Sequence, residues 1–196
     1  MICINGVPRS GSTLVMQLAT GLLGYVQHTH PAINEHNADI SIVTIRHPYD
    51  VAASRYIVRL SRVGAKEGEY KDLEAEIVEM VKHFNGIHKV DPKIIIRYEH
   101  FYNNYPVIFD AVEQASGIKF TALVKKKLTD QFSLEANKVR ADAQDSFLTF
   151  DEHGIHGDHI NGVVPGSWRN LPVWTHKVII QKCGELCREW GYDEAN

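Results

Sequence analysis

Three short apolar runs, each rich in β-branched residues and each ending in a polar cluster, punctuate the chain: residues 2–7, residues 40–45, and residues 93–98 around Ile94-Ile95-Ile96. Runs of this length without alternation match strands buried on both faces, as in a parallel sheet. Between them the period lengthens to that of a helix. Leu14, Leu18 and Leu22 recur every four residues over 13–23, and Leu73, Ile77, Met80, Val81 and Phe84 mark one face over 73–84. Helices are also predicted over 50–61, over 105–115 with Pro106 near the start and Gly117 past the end, and over 175–190. Strands alternating with helices predict an α/β fold, a three-layer sandwich with a central parallel sheet. Residues 133–171 are rich in His, Asp, Gly and Asn, lack periodicity, and read as long loops over the active face.

At 196 residues the chain fits a single domain, 1–196, and no repeat, low-complexity tract or linker divides it. A net charge of −3 argues against nucleic acid held by bulk charge, while leaving room for a local basic site. Cys3, Cys183 and Cys187 make no disulfide framework, which points to a reducing, cytoplasmic compartment. No apolar stretch approaches the roughly 18 residues of a membrane span, and no secretory leader is expected.

In such a sheet, ligands bind beyond the carboxyl ends of the strands. That rule gathers three loops: Pro8-Arg9-Ser10-Gly11-Ser12-Thr13, Arg46-His47-Pro48-Tyr49-Asp50 and Arg97-Tyr98-Glu99. From Gly6 to Thr13 the first has P-loop spacing, G-x-x-x-x-G-K-[ST], with Ser12 where the lysine belongs. Its backbone N–H groups and the following helix start suit an anion, Ser10, Ser12 and Thr13 add hydroxyls, and Arg9 adds a fixed charge. The missing lysine turns this cradle away from ATP or GTP. In the second loop Pro48 stops the strand and Asp50 is expected to cap the helix. Arg46 and Ser54, one turn in, could share one phosphate; the competing reading is an Arg46–Asp50 ion pair.

Together these segments resemble the sulfotransferase family that uses 3′-phosphoadenosine 5′-phosphosulfate (PAPS). The stretch from Pro8 to Thr13 is similar to the family's loop for the 5′-phosphosulfate. The family's R-x-P-x-D-x-x-x-S segment, whose Arg and Ser hold the 3′-phosphate, is matched by Arg46, Pro48, Asp50 and Ser54. Tyr98-Glu99 matches part of a Y-E-D segment, with His100 replacing the acid, and Gly166-Ser167-Trp168-Arg169 matches a late G-x-W-[KR] loop. The motifs run along nearly the whole chain in the family's order. The resemblance implies that Arg9, Ser10, Gly11, Ser12, Thr13, Arg46, Ser54, Tyr98, Gly162 and Trp168 hold PAPS, which leaves as adenosine 3′,5′-bisphosphate (PAP). Three departures stand out. Asn161-Gly162-Val163 fills the area of the family's basic R-K-G loop, Leu14 replaces an aromatic that stacks on adenine, and the segment before the paired histidines is short.

The family's K-T-H segment corresponds here to His28-Thr29-His30. The resemblance thus implies His30 as the base that deprotonates the acceptor, with Glu35 as the next candidate because some relatives use a carboxylate. Arg9 stands in the place of the family's lysine, where it would neutralise charge on the departing phosphate. The implied reaction is sulfuryl transfer to a hydroxyl or amine of a small-molecule or carbohydrate acceptor, by positioning and charge stabilisation and without a metal. Asp151, His153, His156, Asp158 and His159 have the composition of a metal cluster but read as a solvated or acceptor-facing loop. Tyr25, Tyr56, Tyr70, Tyr102, Phe147 and Trp174 are candidates for an acceptor pocket, though such aromatics also serve as packing. Two other readings compete. A P-loop small-molecule kinase should keep the lysine at the position of Ser12 and a strand-end Asp for magnesium. A non-catalytic 3′-phosphonucleotide-binding module would fit the shortened central region.

Overall fold

Four parallel strands lie side by side in the order β2-β1-β3-β4, where β1 is Ile2–Gly6, β2 Gln27–Thr29, β3 Ile40–Ile45 and β4 Lys93–Arg97. The structure is a computed structural model that describes residues 1–30, 38–64, 69–91, 93–157, 160 and 164–192. Helices α1 (Ser12–Leu23), α2 (Pro48–Val63), α3 (Tyr70–Ile87), α4 (Tyr98–Phe101), α5 (Pro106–Ser116), α6 (Ala122–Gln131), α7 (Leu134–Asp142) and α8 (Val173–Glu189) fill the connections, with a 3-10 turn at Ser167–Asn170. No helix among the described residues is long and apolar enough to cross a membrane.

Alternation along the strands builds a core on each face of the sheet. Ile4, Ile42 and Ile96 point to one side, where Leu18 of α1, Val112 of α5 and Leu128 of α6 cover them. Val43 and Ile45 point to the other, against Tyr56 of α2, Phe84 of α3 and Ile179 of α8. This is the expected three-layer arrangement, helices on both faces of a parallel sheet.

The structure departs from the sequence reading at β2, at α6 and α7, and at the start of α2. β2 is only three residues long and carries no apolar run; its pairing with β1, Cys3 opposite Gln27, is what makes it a strand. α6 went unpredicted and α7 lies within the stretch read as loops, because neither buries an apolar stripe: Leu128 alone is buried in α6, Asn137 and Ala141 in α7. Their signal is in the caps, where the hydroxyl oxygens of Thr121 and Ser133 accept the N–H groups of Val124 and Ala136. The third is the start of α2. Pro48 opens the helix and His47 caps it, its Nδ1 accepting the Tyr49 N–H at 3.2 Å. Asp50, expected as the cap, sits in the first turn. Its carboxylate instead accepts the backbone N–H groups of Gly166 at 2.7 Å and Trp168 at 3.1 Å, which latches the late loop to α2.

Candidate active site

The loop after β1 owes its shape to two glycines that act for different reasons. A Cβ on Gly6 would lie 2.1 Å from the Thr44 hydroxyl, so the strand end can approach β3 this closely only without a side chain. Gly11 caps α1 at φ 81°, in the left-handed region, and a Cβ there would meet the rings of Phe101 and Tyr98 at 2.9 Å. Ser10, fully buried, faces inward: its hydroxyl lies within hydrogen-bonding distance of Val7 O and of both Thr44 oxygens. It fastens the loop to β3. The first N–H groups of α1, which no helix can satisfy internally, are left at the mouth.

Beyond the carboxyl ends of the strands lies a cavity of about 580 Å³. Pro8, Arg9, Gly11, Ser12 and Thr13 line it from the first loop, Arg46 from the second, Ser54 from α2, Tyr98 from α4, and His30 from beyond β2. Arg9 adopts φ 74° and donates from Nε to the Ser54 hydroxyl at 3.0 Å. Burial, reinforced by Arg46 and Arg62, pulls its guanidinium down to about 10, still cationic at neutral pH. Arg46, 3% exposed, donates to the Arg9 carbonyl at 3.4 Å and stacks over the Tyr98 ring with Cζ 4.4 Å from its centre. Its distance to the Asp50 carboxylate is 4.0 Å, at the margin of an ion pair, while Asp50 is held mainly by Gly166 and Trp168. The structural ion pair weighed for Arg46 is therefore a minor contact.

The histidines sort by geometry. His30 Nδ1 lies 2.7 Å from Gly6 O. A carbonyl only accepts, so Nδ1 carries the proton and Nε2 of the neutral ring keeps its lone pair. Burial lowers the pKa of His30, with Arg55 adding to the fall and the Gly6 carbonyl opposing it. His28 places Nε2 3.1 Å from the Ser12 hydroxyl, and the His30 ring centre is 5.9 Å from that of His83.

Most of the sequence-derived donor-site residues converge on this cavity, but two do not. Ser10 is turned into the loop, and Trp168 packs in the core edge-on to Tyr49 at 5.0 Å, outside the lining. Gly162 and Glu35 lie outside the described residues, as do Asp158 and His159. Among the described residues no group of three or more His, Cys, Asp or Glu could hold a metal. Asp151 accepts the N–H groups of His153 and Ile155, and the rings of His153 and His156 lie against Phe132 and Phe150. Of the six aromatics considered for a pocket only Tyr102 lines the cavity; Tyr56 is core and Tyr25 is 73% exposed. Phe101, Tyr105 and Leu134 join Tyr98 and Tyr102 as an apolar wall.

The sequence reading missed Arg55, Arg59, Arg62 and Glu76, which also line the cavity. The signal was present as three arginines at i, i+4 and i+7 of a helix. It also missed Glu99, whose carboxylate accepts the His47 N–H at 2.7 Å and the Tyr192 hydroxyl at 3.2 Å.

No protein-family model matches the sequence, and no curated protein matches it. Solved structures do. Mouse sulfotransferase SULT7A1 complexed with PAP superposes with a TM-score of 0.68 at 14% identity, over 95% of this chain and 84% of that one. Retinol dehydratase in complex with androsterone and the inactive cofactor PAP gives 0.66 at 15% identity, over 95% and 80%. The sulfotransferase domain from the curacin biosynthetic pathway gives 0.55 at 15% identity, over 98% of both chains. The chain has the sulfotransferase fold.

Proposed function

We propose that the chain is a PAPS-dependent sulfotransferase that moves a sulfuryl group to a hydroxyl or amine of a small-molecule or carbohydrate acceptor. The observation that carries this reading is the meeting, in one cavity, of Arg9, Arg46 and Ser54 with the helix-start loop and His30, whose Nε2 is the unprotonated nitrogen. Two structural neighbours crystallised with PAP support it.

The residues fit such a donor. The N–H groups at the start of α1 and the Thr13 hydroxyl would hold the 5′-phosphosulfate, and Arg46 with Ser54 would hold the 3′-phosphate. Tyr98 and the wall of Phe101, Tyr102 and Leu134 offer an apolar seat for the base. The donor supplies a sulfuryl group on a leaving group that is already a stabilised anion. Arg9, buried and cationic, offsets the charge that accumulates on the departing phosphate. His30 Nε2 accepts the proton of the acceptor, while Gly6 O holds the ring by its other nitrogen.

Kinase chemistry finds less support. Ser12 replaces the phosphate-binding lysine, and β3 and β4 are followed by Arg46 and Tyr98 rather than by an Asp for magnesium. Calorimetry with PAP, ATP and ADP tests the reading, followed by labelled sulfate transfer from PAPS to a broad acceptor panel. The expected result is binding of PAP with little or no binding of ATP. Tight ATP binding with none of PAP would overturn it, and PAP binding without transfer to any acceptor would favour the binding module.

A further inference from the structure

On the reading of this cavity as a sulfotransferase site, we propose that the acceptor carries an anionic group, a carboxylate, sulfate or phosphate, recognised by the arginine stripe of α2. Arg55, Arg59 and Arg62 follow one another at i, i+4 and i+7, so they share one helix face, and all three line the cavity. At 1.5 Å per residue the stripe spans about 10 Å, beginning near the base. Arg55 shares the cavity wall with His30, and its charge lowers the pKa of both His30 and His83, so this end of the stripe is the one nearest the proposed base.

The charge on this wall is unbalanced. Five arginines line the cavity among the described residues, against the single carboxylate of Glu76. Arg9 and Arg46 face the donor phosphates. Arg55 pairs with Glu76 at 2.8 Å, and Arg59 with Asp72 at 2.9 Å and Glu76 at 3.6 Å. Asp72 is committed to the start of α3, where it also accepts the Glu69 N–H at 3.1 Å. Arg62 has no carboxylate within ion-pair distance among the described residues and lies over the Phe147 ring, 4.2 Å from its centre. Joining α2 to α3 explains Arg55 and Arg59 but not Arg62. A guanidinium fork at a cavity wall matches the two or three oxygens of a carboxylate, sulfate or phosphate. A neutral acceptor would cover Arg62 without replacing its hydration.

The test is binding of matched probes to the PAP-loaded protein, followed by NMR titration: 4-hydroxyphenylacetate against 4-hydroxyphenylacetamide, phenyl glucuronide against phenyl glucoside, and N-acetylglucosamine 6-sulfate against N-acetylglucosamine. The charged member of at least one pair should bind about 10-fold or more tightly. With PAP saturating throughout, Arg62→Glu should abolish that preference and favour tyramine over 4-hydroxyphenylacetate; Arg62→Lys should keep part of it. Equal affinities within every pair, preference for the neutral members, no binding by any charged member, or an Arg62→Glu protein that selects as before would overturn the proposal. Failure of PAP to bind the wild-type protein overturns the sulfotransferase reading instead, and the acceptor role with it.

Discussion

Arg9 Nε and the Ser54 hydroxyl meet at 3.0 Å, joining the loop after β1 to the second turn of α2. The contact joins two walls of the cavity that are 45 residues apart in the chain. It also sets the cationic group of the first loop beside the hydroxyl of the second, with Arg46 touching the Arg9 carbonyl from behind.

Replacing Arg46 by Ala should separate the two phosphates. Loss of a charge-assisted contact to the 3′-phosphate is expected to weaken PAP by about 10- to 100-fold while 5′-AMP changes by less than about 3-fold. Calorimetric titration of both nucleotides measures this. Equal losses would refute the assignment of Arg46 to the 3′-phosphate.

Replacing His30 by Ala should reduce turnover by about 100- to 10,000-fold and leave PAP affinity nearly unchanged. In the wild-type protein only neutral His30 accepts a proton, and burial lowers its pKa. The rate should therefore fall toward acid through an inflection below the roughly 6.5 of a free imidazole, and stay level above it. An inflection above that value in a pH–rate profile would remove His30 from the role.

His83 supplies a stability signature. It is 8% exposed, its Nδ1 is buried without a hydrogen-bond partner among the described residues, and burial followed by the His30 and Arg55 charges brings its pKa down to about 4. The unfolded chain, with its imidazole near 6.5, binds the proton more tightly than the folded one. Stability should accordingly fall as pH drops from about 6.5 toward about 4, by up to about 3 kcal/mol from this residue. Urea unfolding across that window should give a shallower slope for His83→Leu; an unchanged slope would assign the acid sensitivity elsewhere.

Asp50→Ala removes the acceptor of two backbone N–H groups, those of Gly166 and Trp168. The expected cost is about 2–4 kcal/mol, read from chemical denaturation. Protease cleavage near Gly166 should rise in parallel. A variant as stable as the wild type, with the same cleavage pattern, would show that the latch is dispensable.

The three long strands and five of the helices were legible because each buries an apolar stripe with a definite period. The loops could be placed at one end of the sheet because a parallel sheet sends every strand's carboxyl end the same way. What escaped notice lacked a local signature. β2 is a strand through its pairing alone, α6 buries only Leu128, and α7 buries only Asn137 and Ala141. Asp50 looks like a helix cap over its immediate neighbours, yet its partners lie 116 and 118 residues further on. Arg55, Arg59 and Arg62 read as the solvated face of an amphipathic helix, since a polar stripe facing a cavity and one facing bulk water have the same period. Trp168 shows the reverse error, an aromatic within a recognisable motif that belongs to the core.

The strand order has a consequence for how this site can change. With β1 flanked by β2 and β3, His30, the loop from Gly6 to Thr13 and Arg46 leave from three adjacent strands. Adjacent strands lie about 4.8 Å apart, so the spacing of the proposed proton acceptor, cradle and clamp follows a backbone dimension. For the proposed reaction the sheet acts as a gauge block for the line of transfer. Side chains on α2 can be exchanged to admit a different acceptor without altering that gauge, whereas slipping the register of β2 by one residue would turn His30 away from Gly6 and discard the alignment at a stroke.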